Sequence, residues 1–171
     1  VQAGKAIWME PYLNENINIY MISYVVPLYA EDGTSIGVVG MDIDFSMITD
    51  QVDAIKIYDT GYAFLANGQG IIMHHKNQES GIDMSQQDSS LSDITSFIND
   101  ASKEGEGYRY SYQGKAMQLF YFNLNNGMKI LLTAPNMEVY SEANQLVGMI
   151  LTALAVALLL SAVIGILIGN N

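Results

Sequence analysis

The segment Tyr62–His75 reads YAFLANGQGIIMHH, and it decides the fold that the sequence predicts. Its two apolar runs, Tyr62–Ala66 and Ile71–His75, are short and rich in aromatic and β-branched residues, which is typical of strands. The stretch Asn67–Gly70 between them is a strong hairpin signal, because Asn and Gly accept the backbone conformations that tight turns require. The segment therefore predicts a β-hairpin near the middle of the chain.

The residues after this hairpin predict the rest of a small domain. A polar loop over Lys76–Ser90 and a helix over Leu91–Ala101 precede three further strands, which are Tyr108–Tyr112, Ala116–Asn123 and Met128–Ala134. With the hairpin they make a five-stranded antiparallel sheet that carries a helix on one face. This is an α+β, PAS-like arrangement.

The residues before the hairpin predict a second, smaller sheet. Strands over Tyr20–Tyr29 and Ile36–Asp44 flank a polar turn, and Pro27 favours an edge or bulge position. Apolar residues at helical spacing then predict a connecting helix over Phe45–Ile57. A single hairpin within Val1–Phe45 cannot enclose a core by itself.

The run Leu146–Ile168 contains no charged residue. As a helix it would be about 35 Å long, enough to cross a hydrocarbon core of about 30 Å, which predicts a transmembrane helix. The alternative is an apolar helix buried inside a soluble domain. The chain has 18 acidic and 7 basic residues and a net charge of −11, all contributed before Leu146, so nucleic acid is excluded as an expected partner.

Four motifs resemble the double Cache family of bacterial receptors. They are Trp8-Met9-Glu10-Pro11-Tyr12, Ser23-Tyr24-Val25-Val26-Pro27-Leu28-Tyr29, Ile36-Gly37-Val38-Val39-Gly40-Met41-Asp42-Ile43 and Gly61-Tyr62-Ala63-Phe64-Leu65. Such domains are the extracytoplasmic sensors of chemoreceptors, sensor histidine kinases and diguanylate cyclases. The resemblance implies a small-molecule ligand, a homodimer and a cell-membrane location with residues 1–145 extracytoplasmic. It also implies a sensor domain that is truncated at both ends here.

Four parts are expected along the chain on this basis. Residues 1–58 correspond to part of a membrane-distal Cache subdomain with its connecting helix, and residues 59–135 to a membrane-proximal, PAS-like subdomain. Residues 136–145 form a juxtamembrane linker helix, and residues 146–168 form the transmembrane helix.

Candidate ligand-binding residues lie in the first of these parts. If Tyr24 pairs opposite Asp42, an aromatic ring and a carboxylate point into one space and suit an ammonium group. The alternative is that Asp42 only ends its strand. The resemblance adds Tyr12 and Asn14, where Asn14 occupies the position of a family Asp. Trp8 either lines the pocket or anchors the core.

The predicted function is ligand sensing without catalysis. The ligand is a small molecule, with an amino acid or an amine as candidates, and binding passes a conformational shift through the membrane helix. No catalytic, cofactor or metal motif is found: His74 and His75 point to opposite faces of a strand, with His75 expected to be solvated. A membrane-anchored module without signalling, either a tail-anchored protein or an anchored hydrolase, is the alternative.

Overall fold

The structure is a computed structural model that describes residues 4–87 and 91–169, with the side chains of Glu142 and residues 160–169 left out of the description. Residues Val1–Pro135 form one compact unit and Asn136–Asn171 form a second. The first unit holds two antiparallel sheets with short helices between their strands. The predicted α+β class with antiparallel sheets is confirmed.

The first sheet is built around one long central strand. Its strands are β1 (Ile7–Trp8), β2 (Tyr12–Asn14), β3 (Ile19–Tyr29) and β4 (Ser35–Asp44). Both β1 and β2 pair with one edge of β3, and β4 pairs with the other edge. The β3–β4 hairpin therefore follows the prediction, whereas β1 and β2 were not predicted and show that this region contains more than one hairpin.

The connecting helix is shorter than predicted. Helix α1 covers Ser46–Asp53, and the chain then enters β5, a strand of two residues at Lys56–Ile57. The prediction of a helix to Ile57 is wrong because Ile57 pairs with Gly61 in the second sheet. A Cβ atom at position 61 would lie 2.8 Å from both the backbone oxygen of Thr133 and the Cβ atom of Ala134. Only glycine therefore fits at this position, where the two strands lie close together.

The second sheet has six strands, one more than predicted because β5 joins it. Along the sheet the order is β5-β6-β10-β9-β8, and β7 pairs with the same edge of β6 as β5 does. The strands after β5 are β6 (Gly61–Ala66), β7 (Ile72–His74), β8 (Tyr108–Tyr112), β9 (Lys115–Asn123) and β10 (Lys129–Pro135).

Two helices cover one face of the second sheet. Helix α2 (Met84–Gln87) lies within the predicted loop, helix α3 (Ser92–Asn99) matches the predicted helix, and a 3-10 turn follows at Ala101–Lys103. Residues 88–90 at the end of that predicted loop lie outside the described residues.

Strand β6 is buried on both faces, which explains its unbroken apolar sequence. Phe64 and Ala66 pack among the residues of α2 and α3, whereas Ala63 and Leu65 pack with α1 and with Ile22 of the first sheet. Leu65 is fully buried. A strand that is covered on both sides reads as a continuous apolar run rather than an alternating one.

The turn after β6 is ordered by one buried side chain. The Asn67 Oδ1 atom accepts hydrogen bonds from the backbone N–H groups of Gln69 (2.9 Å) and Ile71 (3.0 Å). The Asn67 Nδ2 atom donates to Glu10 Oε1 at 2.9 Å. One asparagine thus shapes the hairpin and ties it to the segment between β1 and β2.

The second unit consists of two helices, α4 (Asn136–Val139) and α5 (Ser141–Gly169). Within the described part of the chain, no helix satisfies the length and apolarity that crossing a membrane requires. The predicted span Leu146–Ile168 falls partly outside that part, because the side chains of residues 160–168 are not described.

Candidate functional site

The register of the first sheet places Asp42 opposite Ser23. The predicted pairing of Tyr24 with Asp42 is therefore wrong by one residue, and Tyr24 pairs with Met41. Directly opposed residues share a face of a sheet, and neighbours along a strand alternate between faces. Asp42 and Tyr24 consequently lie on opposite faces of the sheet.

Tyr12, Ser23 and Asp42 form a connected row of oxygen atoms across three strands, which we call the hydroxyl row. The Ser23 hydroxyl donates to Asp42 Oδ1 at 2.5 Å, and the Tyr12 hydroxyl lies 3.0 Å from Ser23 Oγ. Because the only hydroxyl proton of Ser23 is used in the hydrogen bond to Asp42, the hydroxyl of Tyr12 is the donor in the second bond. The row runs from the edge strand β2 through β3 to β4.

The burial of the row changes along its length. Ser23 is buried, with 3% of its surface exposed, whereas Asp42 is exposed. A buried hydroxyl that donates to a carboxylate fixes the orientation of that carboxylate without neutralising it. The exposed Asp42 carboxylate therefore carries a negative charge at a defined position.

Two more polar residues share this face. Asn14 pairs with Ile19 and Asp44 pairs with Met21, so both side chains lie on the side of Tyr12 and Asp42. The Asn14 Nδ2 atom donates to Met21 Sδ at 3.4 Å, and its Oδ1 atom accepts the Asn16 backbone N–H at 3.1 Å. Asn14 therefore contributes an amide whose oxygen is already used.

Asp44 adds a second carboxylate to the face. Its Oδ1 atom accepts the Ser46 backbone N–H at 2.9 Å, and hydrogen bonds from the side chain and then the backbone of Ser46 lower the pKa of Asp44. A lowered pKa keeps this carboxylate ionised at neutral pH. The face that carries the hydroxyl row is thus acidic.

Trp8 and Tyr24 lie on the opposite face. The two residues pair across β1 and β3, and their rings are tilted at 48° with centroids 4.9 Å apart. Trp8 packs against the core that contains Ile22 and Leu65. The five predicted site residues thus divide into Tyr12, Asn14 and Asp42 on the acidic face and this aromatic pair behind it.

Sequence reasoning missed Ser23, which is the central residue of the row. Alternation along β3 separates Ser23 from Tyr24, but it does not say which of them faces Asp42. Only the register across the β3–β4 turn decides that question. The only signal in the sequence was that Ser23 shares a strand face with Met21 and Val25, which lie two residues before and after it. This signal identifies the partner of Asp42 only once β4 is aligned with β3.

Comparison with known proteins identifies relatives that are bacterial receptors. The family model described as Cache domain matches residues 1–143. The methyl-accepting chemotaxis protein PctB of Pseudomonas aeruginosa is 27% identical over 106 residues, which are 62% of this chain and 15% of PctB.

Solved structures agree with this comparison. The extracellular domain of mmHK1S-Z3, a protein assigned as a histidine kinase, matches with a TM-score of 0.67 at 26% identity, over 83% of this chain and 53% of that one. The ligand-binding domain of PctB in complex with L-Arg matches in fold with a TM-score of 0.58 at 19% identity, over 81% of this chain and 57% of that one. The chain therefore spans about half the length of the solved sensor domains that it matches.

The family match covers most of the chain, and the matched structures share its fold. In chemoreceptors and histidine kinases, domains of this type are the extracytoplasmic, ligand-binding parts of membrane receptors and work as sensors rather than enzymes. This chain belongs to the Cache domain family.

Proposed function

We propose that this chain is the ligand-sensing part of a bacterial transmembrane receptor and that the hydroxyl row binds the protonated amine of a small ligand. The observation that carries the proposal is the chain of hydrogen bonds from Tyr12 through Ser23 to Asp42. It fixes one carboxylate at the exposed end of an acidic face. A carboxylate accepts several hydrogen bonds, so Asp42 retains acceptor sites for an ammonium group after Ser23 is bonded.

The chemistry of the face favours an amino acid or an amine as the ligand class. Asp42 and Asp44 supply negative charge, and the ring of Tyr12 supplies an aromatic surface that attracts cations. Asn14 adds no charge. In this proposal Trp8 and Tyr24 support the site from the opposite face by packing behind β3. The relative PctB, whose ligand-binding domain was solved with L-Arg, belongs to a group described as amino acid chemoreceptors.

The finer parts of the proposal concern the membrane. We assign residues 1–58 and 59–135 to membrane-distal and membrane-proximal subdomains outside the cytoplasm, residues 136–145 to a linker, and residues 146–168 to a membrane-spanning helix. Support comes from the uncharged sequence of that last stretch and from the location of Cache domains in relatives. A ligand that favours one arrangement of the sensor shifts the population of receptor states.

Calorimetric titration of the intact sensor protein with L-amino acids and small amines tests the ligand site. We expect at least one amine-bearing ligand to bind, and Asp42→Asn to weaken its binding by about 30-fold or more, since it removes the charge that pairs with the ammonium. Ser23→Ala keeps the charge of Asp42 but removes the hydrogen bond that fixes the orientation of its carboxylate. We expect it to weaken ligand binding by about tenfold.

Glu31→Gln is the matched control, because it removes one carboxylate from the turn of the same hairpin without touching the row. It should leave the affinity unchanged. The proposal is wrong if no ligand of the panel binds, or if Asp42→Asn binds as tightly as the wild type.

Dimerisation of the receptor is a separate part of the proposal. The chain contains no cysteine, so single cysteines introduced along 153–162 report only on contacts between copies. We expect crosslinking to rise and fall with a helical period of about 3.6 residues. Equal crosslinking at every position would contradict a helix-mediated dimer. Membership of the Cache family does not favour the alternative of an anchored module without signalling.

A further inference from the structure

A cavity of about 220 Å³ lies between the two sheets. Its walls come from the segment that follows β1, from the end of β6, from β7 and from the turn between β9 and β10. The lining residues are Trp8, Met9, Glu10, Asn67, Met73 and residues 126–128. Because Trp8 lies on the face of the first sheet opposite to the hydroxyl row, this cavity is separate from the amine site.

Two methionine side chains reach the cavity from the second sheet. Met73 lies on β7 and is half-buried, whereas Met128 precedes β10 and is only 4% exposed. Both belong to the apolar cluster in which Trp8 also packs. A methionine side chain has three rotatable bonds and a polarizable sulfur, so the two sulfur atoms can turn toward a common point beside the indole ring.

Met9 borders the cavity in a different way. Its backbone N–H donates to the Ser23 carbonyl oxygen at 2.8 Å, which continues the pairing of β1 with β3 by one residue. Alternation along the strand then directs the Met9 side chain to the face of Ser23, away from that of Trp8. The cavity therefore has two thioether groups, those of Met73 and Met128.

Glu10 gives the cavity a negative charge. Among the described residues that line the cavity, Glu10 is the charged one, and neither Lys nor Arg is found with it. The Asn67 side chain, which is 8% exposed, donates to Glu10 Oε1 at 2.9 Å and so fixes this carboxylate at the exposed side of the cavity. A fixed carboxylate near an indole ring favours a cation.

The oxygen atoms of the cavity do not suit a hard cation. Asn67 Oδ1 accepts the backbone N–H groups of Gln69 and Ile71, and Asn126 Oδ1 accepts that of Met128 at 3.1 Å. The Glu10 carboxylate remains, whereas a calcium ion takes about six to eight oxygen ligands. Calcium and magnesium are therefore not expected here.

The two histidines also lie outside the lining of this cavity. His74 Nε2 lies 2.9 Å from Asp53 Oδ1. Only 7% of His75 is exposed, so the prediction that it is solvated is wrong, and its ring packs against Tyr62 and Phe64 with centroid distances of 4.9 and 5.4 Å. Within the described part of the chain, no group of three His, Cys, Asp or Glu side chains could hold a metal ion. A zinc ion therefore lacks its usual set of ligands.

Thioether sulfur instead selects soft metal ions such as Cu(I). The single charge of Cu(I) matters in a partly apolar cavity, because the cost of removing an ion from water rises with the square of its charge. That cost is on the order of a quarter of the cost for a divalent ion of the same size. The one carboxylate of Glu10 is sufficient to balance one positive charge.

We propose that this cavity binds a soft monovalent metal ion, Cu(I), through the sulfur atoms of Met73 and Met128, with Trp8 and Glu10 beside the ion. The two sulfur ligands belong to the second sheet, whereas Trp8 and Glu10 belong to the β1–β2 region of the first. A bound ion thus connects the two sheets. The proposal does not depend on the amine site, which lies on the other face of the first sheet.

Ag(I) is the probe for this site, because it has the charge and the softness of Cu(I) and is stable in air. Trp8 is the only tryptophan of the chain, so the fluorescence of the full chain in a chloride-free buffer reports on the cavity directly. We expect a saturable change of the Trp8 emission with one Ag(I) ion per chain. Zn(II) and K(I) should cause no such change.

Methionine-to-leucine variants test the two ligands, since leucine removes the sulfur atom with little change of volume. We expect Met73→Leu and Met128→Leu each to weaken Ag(I) binding by about 30-fold or more. Loss of a group that only orients a metal ligand costs about 10- to 100-fold, and loss of the ligand itself costs at least as much. Met47→Leu is the matched control, because it removes a thioether that is 63% exposed on α1, and it should leave the affinity unchanged.

A second measurement on the wild type does not depend on the folding of any variant. In carbon-13 NMR of the methionine methyl groups, the signals of Met73 and Met128 should shift on addition of Ag(I), and that of Met47 should not. Asp42→Asn should leave Ag(I) binding unchanged, which separates this site from the amine site.

Three results would each overturn the proposal. The first is a Trp8 emission that shows no saturable change with Ag(I), and the second is an equal affinity for Zn(II). The third is that Ag(I) leaves the methyl signals of Met73 and Met128 in place, or binds their leucine variants as tightly as it binds Met47→Leu.

Discussion

The two sheets of this chain use their faces in different ways. In the second sheet β6 is covered on both sides, and Leu65 is fully buried. In the first sheet β4 is exposed along most of its length, with Val38 and Val39 on opposite faces and 60% and 54% exposed. Apolar burial therefore stabilises the second sheet, and the first sheet presents a polar row that a ligand can reach.

The largest difference in stability between the two sheets is expected from one Leu→Ala substitution in each of them. Leu65→Ala removes a fully buried side chain, and we expect it to lower the free energy of unfolding by about 3 to 5 kcal/mol. Leu28→Ala removes a side chain that is 42% exposed on β3, and we expect a loss of about 1 kcal/mol or less. Urea unfolding measures both, and equal losses would contradict the comparison.

A smaller effect is expected at the hydrogen bond between Glu10 and Asn67, which joins the segment between β1 and β2 to the turn after β6. Glu10→Ala leaves the Asn67 side-chain N–H without its acceptor in a buried position, which costs about 1 to 2 kcal/mol. Glu10→Gln retains an acceptor oxygen and should cost less. Urea unfolding measures the loss, and hydrogen exchange at the Gln69 and Ile71 amides shows whether the turn loosens. If Glu10→Ala is as stable as the wild type, the link does not stabilise the fold.

The smallest effect concerns pH and the second sheet. Because the pKa of His75 is lowered in the folded state, the unfolded chain takes up a proton near pH 6.5, before the folded chain does. The contribution of the neutral His75 side chain to the free energy of unfolding is therefore fully present above pH 6.5, and it is lost as the pH falls through the folded-state pKa.

We expect His75→Gln to lose less stability than the wild type between pH 7.5 and 5.5, as measured by urea unfolding at both values. His74→Gln is the control and should keep most of the loss, since burial, the largest cause of the lowered pKa of His75, is unchanged. An identical loss in the wild type and in His75→Gln would show that the buried imidazole does not contribute.

Local sequence patterns were sufficient to predict the strands that pair with the next or the preceding strand along the chain. Strand β8 at Tyr108–Tyr112 has the predicted bounds, and the β3–β4 hairpin differs from the prediction by one residue at each strand's start. These elements combine alternating or β-branched sequence with an unambiguous turn. The strands β1 and β2 escaped prediction because two or three residues give no periodicity, and their pairing with β3 is not local.

The candidate site was predicted less completely than the fold, because it depends on register. Tyr12, Asn14 and Asp42 were identified from motif and chemistry, and they do share a face. Ser23 was missed and Tyr24 was placed opposite Asp42, since a shift of one residue exchanges the faces of a strand. His75 was expected at the surface because its burial depends on Tyr62 and Phe64, whose positions the sequence alone does not relate to it.

The most direct test of the amine site is a crystal structure of the intact sensor domain with a ligand that calorimetry shows to bind. The account predicts a ligand nitrogen about 2.7 to 3.0 Å from an Asp42 carboxylate oxygen, the usual length of a bond between an ammonium and a carboxylate, with the Ser23 bond preserved. A ligand that lies on the face of Trp8 and Tyr24, or one whose nitrogen has no contact with Asp42, would contradict it.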